Sequence, residues 1–231
     1  MITSVSNPKI IKYTKLHQKK YRDIEGLTLI EGSRLVEEAF NQGLVVDAYS
    51  LDESHQKVSP HVMKKLADSH IPEVMAVIKK PISKDFKGQY LVCENIQDPG
   101  NLGSLMRSAE AFGFLNFITI GGVDPYSPKA IKSSEGSFLN INVQTLSLEE
   151  ALIQTKETFK VMTHPHQGSQ EKMKKASLSI WLGNEGQGLS KEALNHADRL
   201  YQINTQGVES LNVAVAGSIA MFDLRIQDCQ K

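Results

Sequence analysis

The chain has 231 residues, 40% of them hydrophobic, and its 26 Lys and Arg side chains balance 26 Asp and Glu. This length and apolar content exclude disorder as the dominant state and suffice for one large domain or two modest ones. Two cysteines cannot build a disulfide framework, and no apolar run is long enough to span a bilayer, so we expect a cytoplasmic protein. A net charge of zero gives no overall indication of nucleic-acid binding.

The first third of the chain predicts a small α/β unit, because short apolar runs alternate with stretches of helical periodicity. After it, a polar, proline-containing segment at residues 79–84 is typical of a linker. We therefore place one domain at residues 1–84 and a second at residues 85–231. The predicted strands are Thr28–Ile30, Val45–Leu51 and Val74–Ile78, and the predicted helices lie at Arg34–Asn41 and around Val62, Leu66 and Ala67.

Basic residues are concentrated near the N-terminus. Residues 1–84 contain 13 Lys and Arg against 10 Asp and Glu, a net charge of +3. Spacings of three and four residues would place much of the basic set along one helical face. Such a face is either a phosphate-contacting stripe or an ordinary solvated helix surface. The set consists of Lys9, Lys12, Lys15, Lys19, Lys20 and Arg22.

The rest of the chain alternates short apolar strands with helical patterns, which predicts a mostly parallel sheet with helices on both faces. The predicted strands are Tyr90–Cys93, Phe117–Ile120, Ile141–Val143, Lys160–Thr163, Ile180–Leu182 and Leu200–Ile203. The predicted helices are Leu102–Phe112, Leu148–Thr158, Lys191–His196 and Val213–Arg225.

The first of three polar segments, residues 98–109 (DPGNLGSLMRSA), follows a predicted strand and opens a helix. Asn101 is a plausible N-cap of this helix. Arg107 is off the apolar stripe and leans over Gly103, where a glycine makes sense if something approaches the backbone. The segment is either an anion-binding helix start with a guanidinium beside it or a capped surface helix with an exposed arginine.

The second segment, residues 181–189 (WLGNEGQGL), has three glycines in six residues directly after a buried strand. Glycines there let backbone groups approach a ligand closely, although the spacing is neither that of dinucleotide-binding folds nor that of a P-loop. Glu185 either caps a turn or orients a hydroxyl group of a substrate or cofactor.

The third segment, residues 203–212 (INTQGVESLN), is a polar loop before a helix that is apolar almost all round. Such a helix is buried inside the domain or at a subunit interface. Ser210 or Asn212 would cap it. Elsewhere, the short His164-Pro165-His166 run is interpreted as a loop, and we expect no metal site.

Together the three segments resemble, in order and spacing, the three motifs of the SpoU (TrmH-like) family of RNA ribose 2′-O-methyltransferases, which belongs to the SPOUT class. The resemblance covers about Gln89 to Ile226. The N-terminal part, with Leu29-Ile30-Glu31-Gly32 and the following helix, looks like the substrate-binding domain often fused in front of this family. The resemblance implies an enzyme with a C-terminal trefoil knot, preceded by a small α/β substrate-binding domain.

The resemblance further implies an S-adenosylmethionine cofactor, an RNA substrate and a homodimer, with no metal and no membrane. Ribosomal RNA is favoured by the fused N-terminal domain, and transfer RNA stays open. The lysines and Arg22 near the N-terminus then become candidate RNA contacts. The implied catalytic residues are Asn101, Arg107, Glu185, Ser210 and Asn212. The implied cofactor residues are Gly183, Ile203 and Leu211, with Leu182, Asn184, Gly186 and Asn204 as neighbours.

The sequence departs from the family in the third motif, where Asn204-Thr205 replaces the usual Pro-Met and leaves the shape of the cofactor loop open. A guanidinium is almost always protonated, so we assign Arg107 to clamping a phosphate and stabilising the developing alkoxide rather than to acting as a base. Two alternatives remain: methylation of a base by the same knotted fold, and a non-catalytic RNA-binding protein.

Overall fold

The computed structural model describes residues 1–67, 70–81, 88–169 and 177–225, and these form two β-sheets with their helices. The strands are β1 (Leu27–Glu31), β2 (Val45–Ser50), β3 (Gln56–Lys57), β4 (Val74–Lys79), β5 (Gln89–Glu94), β6 (Asn116–Ile120), β7 (Asn142–Thr145), β8 (Phe159–Thr163), β9 (Leu178–Leu182) and β10 (Arg199–Tyr201). The helices are α1 (Pro8–Thr14), α2 (Lys19–Glu25), α3 (Ser33–Asn41), α4 (Pro60–Ala67), α5 (Pro99–Phe112), α6 (Pro128–Ser134), α7 (Leu148–Gln154), α8 (Lys191–Leu194) and α9 (Val213–Leu224).

The N-terminal unit, residues 1–81, has a four-stranded sheet in the order β1-β4-β2-β3. β4 runs antiparallel to both of its neighbours, and β2 and β3 are parallel. The predicted strands and helices of this unit all appear, with small shifts at their ends. Of the predicted linker, Lys79 ends β4 and the Lys80 amide donates to the Gly26 carbonyl at 2.9 Å, while residues 82–84 lie outside the described residues.

The C-terminal unit, residues 88–225, has a six-stranded sheet in the order β10-β8-β9-β5-β6-β7, and every neighbouring pair of strands is parallel. Alternate residues of β5 point to opposite faces, so Leu91 and Cys93 join the core under α5 and α9 while Val92 joins the core on the other face, with α7 and α8. The prediction of a parallel sheet covered on both faces is confirmed. This arrangement puts the carboxyl ends of all six strands at one edge.

The start of the chain differs from the prediction of one helical face. α1 ends at Thr14, a single 3₁₀ turn spans Lys15–His17, and the extended residue Gln18 precedes α2. Asn7 caps α1 and Pro8 occupies its first turn, whereas α2 begins after Gln18 without a side-chain cap. The lysines therefore lie on two helices and a turn rather than on one continuous stripe.

Helix α6 was not predicted from the sequence. Its seven residues include only two buried apolar side chains, Ala130 and Ile131, which is too short a pattern for helical periodicity to be recognised. Ser127 caps it and Pro128 opens it. α6 packs directly on α5: a Cβ on Gly103 would lie 2.5 Å from the Ala130 carbonyl oxygen and 2.5 Å from the Ser133 Cβ. The group that approaches the Gly103 backbone is thus a helix of the same chain.

One hydrophobic core joins the two units. It contains residues of the N-terminal sheet and of α3, such as Ile30, Val36 and Ile78, together with Leu102 of α5 and Phe138 of the C-terminal unit. The two units therefore share apolar burial on top of their separate cores, which favours a fixed relative placement.

Candidate active site

Three chain segments meet at the carboxyl edge of the six-stranded sheet. β5 and β9 are adjacent and in register, with Cys93 opposite Leu182, so the segments after them start side by side. Ligands of open parallel sheets bind outside the carboxyl ends of the strands. The residues after β5 lead into α5, those after β9 form the glycine-rich turn, and those after β10 form the loop before α9.

A hydrogen-bonded trio, Asn101, Glu185 and Asn212, connects these three segments; we call it the polar cluster. The Asn101 Nδ2 donates to Glu185 Oε1 at 3.1 Å, and the Asn212 Nδ2 donates to Asn101 Oδ1 at 2.9 Å. The Gln97 amide donates to the other carboxylate oxygen of Glu185 at 3.3 Å. Three residues selected from separate motifs thus share one network.

Asn101 is not the N-cap of its helix, as the sequence had suggested. Asp98 is the cap: its carboxylate accepts the Asn101 amide at 2.8 Å, and Pro99 fills the first helical position. That hydrogen bond lowers the pKa of the Asp98 carboxyl below its ordinary value. Because another residue satisfies the helix end, the Asn101 side chain is left to bond with Glu185 and Asn212.

Asn212 serves both of the roles considered for it. Its Oδ1 accepts the amides of Ala214 and Val215 at 2.9 and 3.3 Å, which caps α9. Its Nδ2 points to Asn101 in the polar cluster. The cap fixes the side chain's rotamer, so the amide group is held in place at no further conformational cost.

Glu185 is held as a carboxylate. Burial alone would raise the pKa of its side chain, but the hydrogen bond from Asn101 and those from backbone amides, including that of Gln97, outweigh burial and lower the pKa. The group is therefore charged at neutral pH and acts as an acceptor in the cluster. Its hydrogen bonds from Asn101 and Gln97 connect this loop to residues more than 80 positions earlier in the chain.

The glycine-rich turn after β9 is closed by its own backbone. Asn184 and Gly188 exchange amide–carbonyl hydrogen bonds at 3.0 and 2.9 Å, and the Asn184 Oδ1 accepts the amides of Gly186 and Gln187. A Cβ on Gly183 would lie 2.1 Å from the Gly188 carbonyl carbon. A glycine is thus required at 183 by the turn itself, whereas a Cβ on Gly186 would meet nothing closer than 3.6 Å.

Most backbone polar groups of the loop after β10 have no partner among the described residues. From Asn204 to Leu211, no backbone amide or carbonyl bonds to another backbone group among the described residues. Thr205, which stands where the family has Met, donates its hydroxyl to the Val208 carbonyl at 2.8 Å and shapes the turn. At the two ends of the loop, Ile203 and Leu211 are half-buried.

Arg107 and Ser210 belong to the same region of the chain but not to the hydrogen-bonded trio. Both side chains are exposed, and neither has a hydrogen-bonding or ionic partner within the described residues. Two of the five predicted catalytic side chains therefore remain available to a ligand, and three are already held together.

The six basic residues near the N-terminus do not share one environment. Arg22 is buried at 3% exposure and pairs with Asp124, so its prediction as an RNA contact is wrong. The five lysines stay exposed: Lys9, Lys12 and Lys19 form ion pairs with acidic side chains of the same unit, and Lys15 lies over the Tyr21 ring. Lys20 has no partner within the described residues. We call these five lysines the basic surface.

The remaining candidates have structural roles. His164 accepts the His166 amide within the loop after β8, and no group of three metal-binding side chains occurs among the described residues. In the described part of the chain, no helix combines the length and apolarity needed to cross a bilayer.

Residues 88–222 match the family described as the SpoU rRNA Methylase family, and residues 7–89 match a domain described as the MRM3-like substrate binding domain. The chain belongs to the SpoU rRNA methylase family. It is 32% identical over 245 residues to the 23S rRNA (guanosine(2553)-2′-O)-methyltransferase RlmP of Bacillus subtilis (strain 168), with 97% of this chain and 98% of that protein covered.

Solved structures agree with the assignment to the SpoU family. A structure described as an RNA 2′-O ribose methyltransferase superposes with a TM-score of 0.79 at 30% identity, covering 96% of each chain. The AdoMet-bound rRNA methyltransferase from Sinorhizobium meliloti superposes with a TM-score of 0.83 at 25% identity, covering 96% of this chain and 95% of that one. The predicted SpoU family, RNA methyltransferase activity and S-adenosylmethionine cofactor are confirmed.

The loops of this SpoU-family chain fit S-adenosylmethionine. An adenosine needs an apolar surface for its ring and backbone donors and acceptors for its edges. The open backbone groups between Asn204 and Leu211, next to the half-buried side chains of Ile203 and Leu211, offer both. The unobstructed space at Gly186 adds a place where a ligand can approach the backbone.

Proposed function

We propose that this protein transfers a methyl group from S-adenosylmethionine to a ribose 2′-hydroxyl of ribosomal RNA. The observation that carries the proposal is the polar cluster, in which Asn101, Glu185 and Asn212 of three family motifs share one hydrogen-bond network. Bacterial RlmP, which aligns over nearly the whole chain, is named for a guanosine 2′-O-methylation of 23S rRNA. Ribosomal RNA is therefore favoured over transfer RNA.

The cofactor would be held by the turn after β9 and the loop after β10. When bound, S-adenosylmethionine supplies an electrophilic methyl group on a positively charged sulfur. We assign its contacts to the open backbone of the third motif and to apolar side chains around it. The proposed cofactor residues are Leu182, Gly183, Asn184, Gly186, Ile203, Asn204 and Leu211. The Asn184 side chain acts indirectly, since it is committed to the Asn95 carbonyl and to two amides of its own turn.

The chemical difficulty for the protein is a weakly acidic hydroxyl that must be aligned. Asn101 and Asn212 are fixed by their partners, so they can orient a ribose without losing side-chain freedom on binding. Ser210, exposed beside Asn212 in the sequence, offers a further hydroxyl for the sugar. Glu185 holds the Asn101 amide group and keeps its carbonyl oxygen directed toward Asn212.

Arg107 is assigned to the RNA backbone. Its guanidinium stays protonated and is free of protein partners within the described residues, so it can grip the phosphate next to the target ribose. The same charge stabilises negative charge that develops on the 2′-oxygen as its proton leaves. The proton itself passes to solvent or to the bound RNA rather than to Arg107.

The basic surface is proposed to find the RNA. It is exposed on the N-terminal unit, and the ion pairs of Lys9, Lys12 and Lys19 are surface pairs that a phosphate can replace at little cost. We assign RNA contact to Lys9, Lys12, Lys15, Lys19 and Lys20. This division of labour keeps the boundary at residues 84 and 85, with substrate binding before it and catalysis after it.

A homodimer is proposed from α9 and α5. α9 is apolar almost all round, and its Val215 and Phe222 remain 49% and 53% exposed. Phe222 packs edge-on against Phe112 of α5, with ring centroids 5.8 Å apart, so the exposed apolar surface continues across both helices. A second copy of the chain would cover this surface.

The trefoil knot, the absence of a metal and the cytoplasmic location remain predictions.

Methyl transfer from labelled S-adenosylmethionine tests the proposal directly. The purified protein is incubated separately with unmodified ribosomal and transfer RNA, and the labelled nucleoside is identified after digestion. We expect a 2′-O-methyl nucleoside from ribosomal RNA. A labelled base would instead establish the base-methylating alternative. No label on either RNA, together with no binding of S-adenosylmethionine, would establish the non-catalytic alternative.

A further inference from the structure

A buried ion pair joins the two units. Arg22 of α2 donates from Nε and Nη2 to the Asp124 Oδ2, at 2.8 and 2.6 Å, and from Nη1 to the carbonyls of Leu16 and His17. The two side chains are 3% and 8% exposed, although they lie 102 residues apart in the sequence. Every charged group of the pair is thus matched by a partner inside the protein.

A pair of this kind is weak evidence for added stability, because removing two charges from water costs about as much as their attraction returns. What it does provide is a defined geometry, since a planar guanidinium donating from two nitrogens accepts few orientations of its partner. The other Asp124 oxygen accepts the Tyr126 amide at 3.0 Å, so the loop between β6 and α6 is fixed from both sides. The orientation of this loop is therefore tied to α2.

The Asp124 loop continues the contact toward the sheet edge. The amide of the preceding residue, Val123, donates to the Ile96 carbonyl at 2.9 Å. Gly122 has a φ of +70°, and a Cβ there would lie 2.3 Å from the same carbonyl oxygen, so the two backbones touch. The Asn95 amide donates to the Ile120 carbonyl at 2.7 Å. Residues 95–96 thus rest on residues 120–123.

Residues 95–97 in turn hold the second motif. The Asn95 carbonyl accepts the Asn184 Nδ2 at 3.0 Å, and the Gln97 amide donates to Glu185 at 3.3 Å. A shift of residues 120–124 is therefore transmitted through residues 95–97 to the side chains of Asn184 and Glu185. The contacts form an unbroken path from Arg22 through Asp124 and Ile96 to Glu185.

We propose that Arg22 and Asp124 are positioning residues that set the placement of Glu185, and through it of Asn101, from the N-terminal unit. The inference rests on the proposed function for its catalytic consequence. Its structural part, the dependence of residues 95–97 on the ion pair, stands independently of any activity. The chain thus uses one buried pair both to seat the RNA-binding unit and to align the catalytic side chains.

The test compares two variants with a matched control. Asp124→Asn removes the charge that faces Arg22, and Arg22→Lys keeps the charge but loses the fork, which protects the test if the first variant does not fold. The control is Gln42→Ala, which removes another contact between the units, the 3.0 Å bond from Gln42 to Asn140, away from residues 95–97. Folding is checked by thermal melting, and S-adenosylmethionine affinity is measured for each protein.

Two readouts follow for each protein: kcat and KM for RNA, and amide hydrogen exchange of Asn95 and Gln97. We expect kcat to fall about tenfold or more in Asp124→Asn, and less in Arg22→Lys, because small misplacements of catalytic groups are costly. Exchange at both amides should accelerate in the two variants and not in Gln42→Ala, and kcat is compared at saturating S-adenosylmethionine because Asn95 also holds the Asn184 side chain.

Exchange at Asn95 and Gln97 that is no faster than in the control would overturn the proposal. So would a raised KM with unchanged kcat, because the pair would then only seat the RNA-binding unit. If the wild type transfers no methyl group while exchange responds as expected, the proposed function fails and the structural coupling stands.

Discussion

The basic surface and the polar cluster are both groups of polar side chains, yet the chain treats them in opposite ways. In the basic surface, ion pairs are made within the N-terminal unit, such as Lys19 with Asp23 four residues away. In the polar cluster, Asn101 bonds to residues 84 and 111 positions later in the chain. The ion pairs of the basic surface are exposed and stay within one unit, whereas the hydrogen bonds of the polar cluster form only when three distant segments of the chain meet.

The difference shows which polar residues a fold reserves for function. Lys19, Lys9 and Lys12 have acidic partners that keep them on the surface without any ligand. Asn101 would have had a local role as a helix cap, but Asp98 fills that role. A polar side chain that is not needed for a helix cap or turn, and that instead hydrogen-bonds residues distant in the sequence, is the stronger candidate for a catalytic role.

The largest effect on kcat is expected from substitution of Arg107, because no other described cation is assigned to the same phosphate. Arg107→Ala should lower kcat by about 10²–10³-fold, as removal of one donor to a developing negative charge does in other enzymes. Methyl transfer at saturating RNA measures it. Arg107→Lys is the control, because it keeps the charge without the fork. Near-full activity of Arg107→Lys with unchanged RNA affinity would refute the forked clamp.

A pair of substitutions one helical turn apart separates catalysis from stability. Asn101→Ala should lower kcat by about 10–100-fold with little change in melting temperature, because Asp98 still caps α5. Asp98→Ala should lower the melting temperature. The folded-state pKa of Asp98 is lowered, so its contribution is present above the unfolded pKa and is lost as pH falls through the folded pKa. Unchanged methyl transfer in Asn101→Ala would remove that residue from the site.

The charge of Glu185 is tested by substitution and by pH. Its pKa is lowered in the folded protein, so activity should not respond to this group between neutral pH and about pH 5, and should fall only at more acidic pH. Glu185→Gln should lower kcat roughly tenfold, since the new amide group would face the Gln97 N–H instead of accepting it. A loss of activity centred near pH 6 that disappears in Glu185→Gln would contradict the lowered pKa.

The smallest effect is expected within the basic surface and should differ between lysines. Lys20→Glu, at a position without an ionic partner in the described residues, should weaken RNA binding severalfold and reduce its salt dependence by about one counterion. Lys9→Glu also abolishes the ion pair with Asp47, so its control is Asp47→Asn. RNA affinity measured over a range of salt concentrations tests this prediction. Equal affinity of Lys20→Glu and wild type would mean that Lys20 is an ordinary solvated surface residue and not an RNA contact.

Much of the fold could be predicted because its strands and long helices carry apolar patterns that each span one element. The strands at Thr28–Ile30 and Tyr90–Cys93 and the helix α9 appear close to where their periodicity places them. Helix α6 was not predicted because it is short and its few buried residues pack mainly against α5, a distant element of the chain. The break between α1 and α2 escaped because the lysine spacing continues through it while the backbone does not.

The candidate site divides in the same way. The resemblance to the SpoU family assigns Asn101, Glu185 and Asn212 to one site. It does not predict the cap at Asp98 or the support from Asn95 and Gln97. The Asp98-Pro99 pair was a readable signal, since an acidic cap followed by proline is typical of a helix start. Asn95 and Gln97 had no signal in one sequence, because their roles depend on residues 89 and 88 positions later in the chain.

By itself, the sequence determined the alternation of strands and helices and the family of the chain, because hydrophobic periodicity and motif order are local properties. Only the tertiary structure decided that Arg22 is buried against Asp124 and that Gly103 serves helix packing. The structure also showed that Asp98, and not Asn101, caps helix α5. Burial and long-range pairing depend on how the helices and strands pack together. The same local pattern of charges or glycines is compatible with several tertiary arrangements.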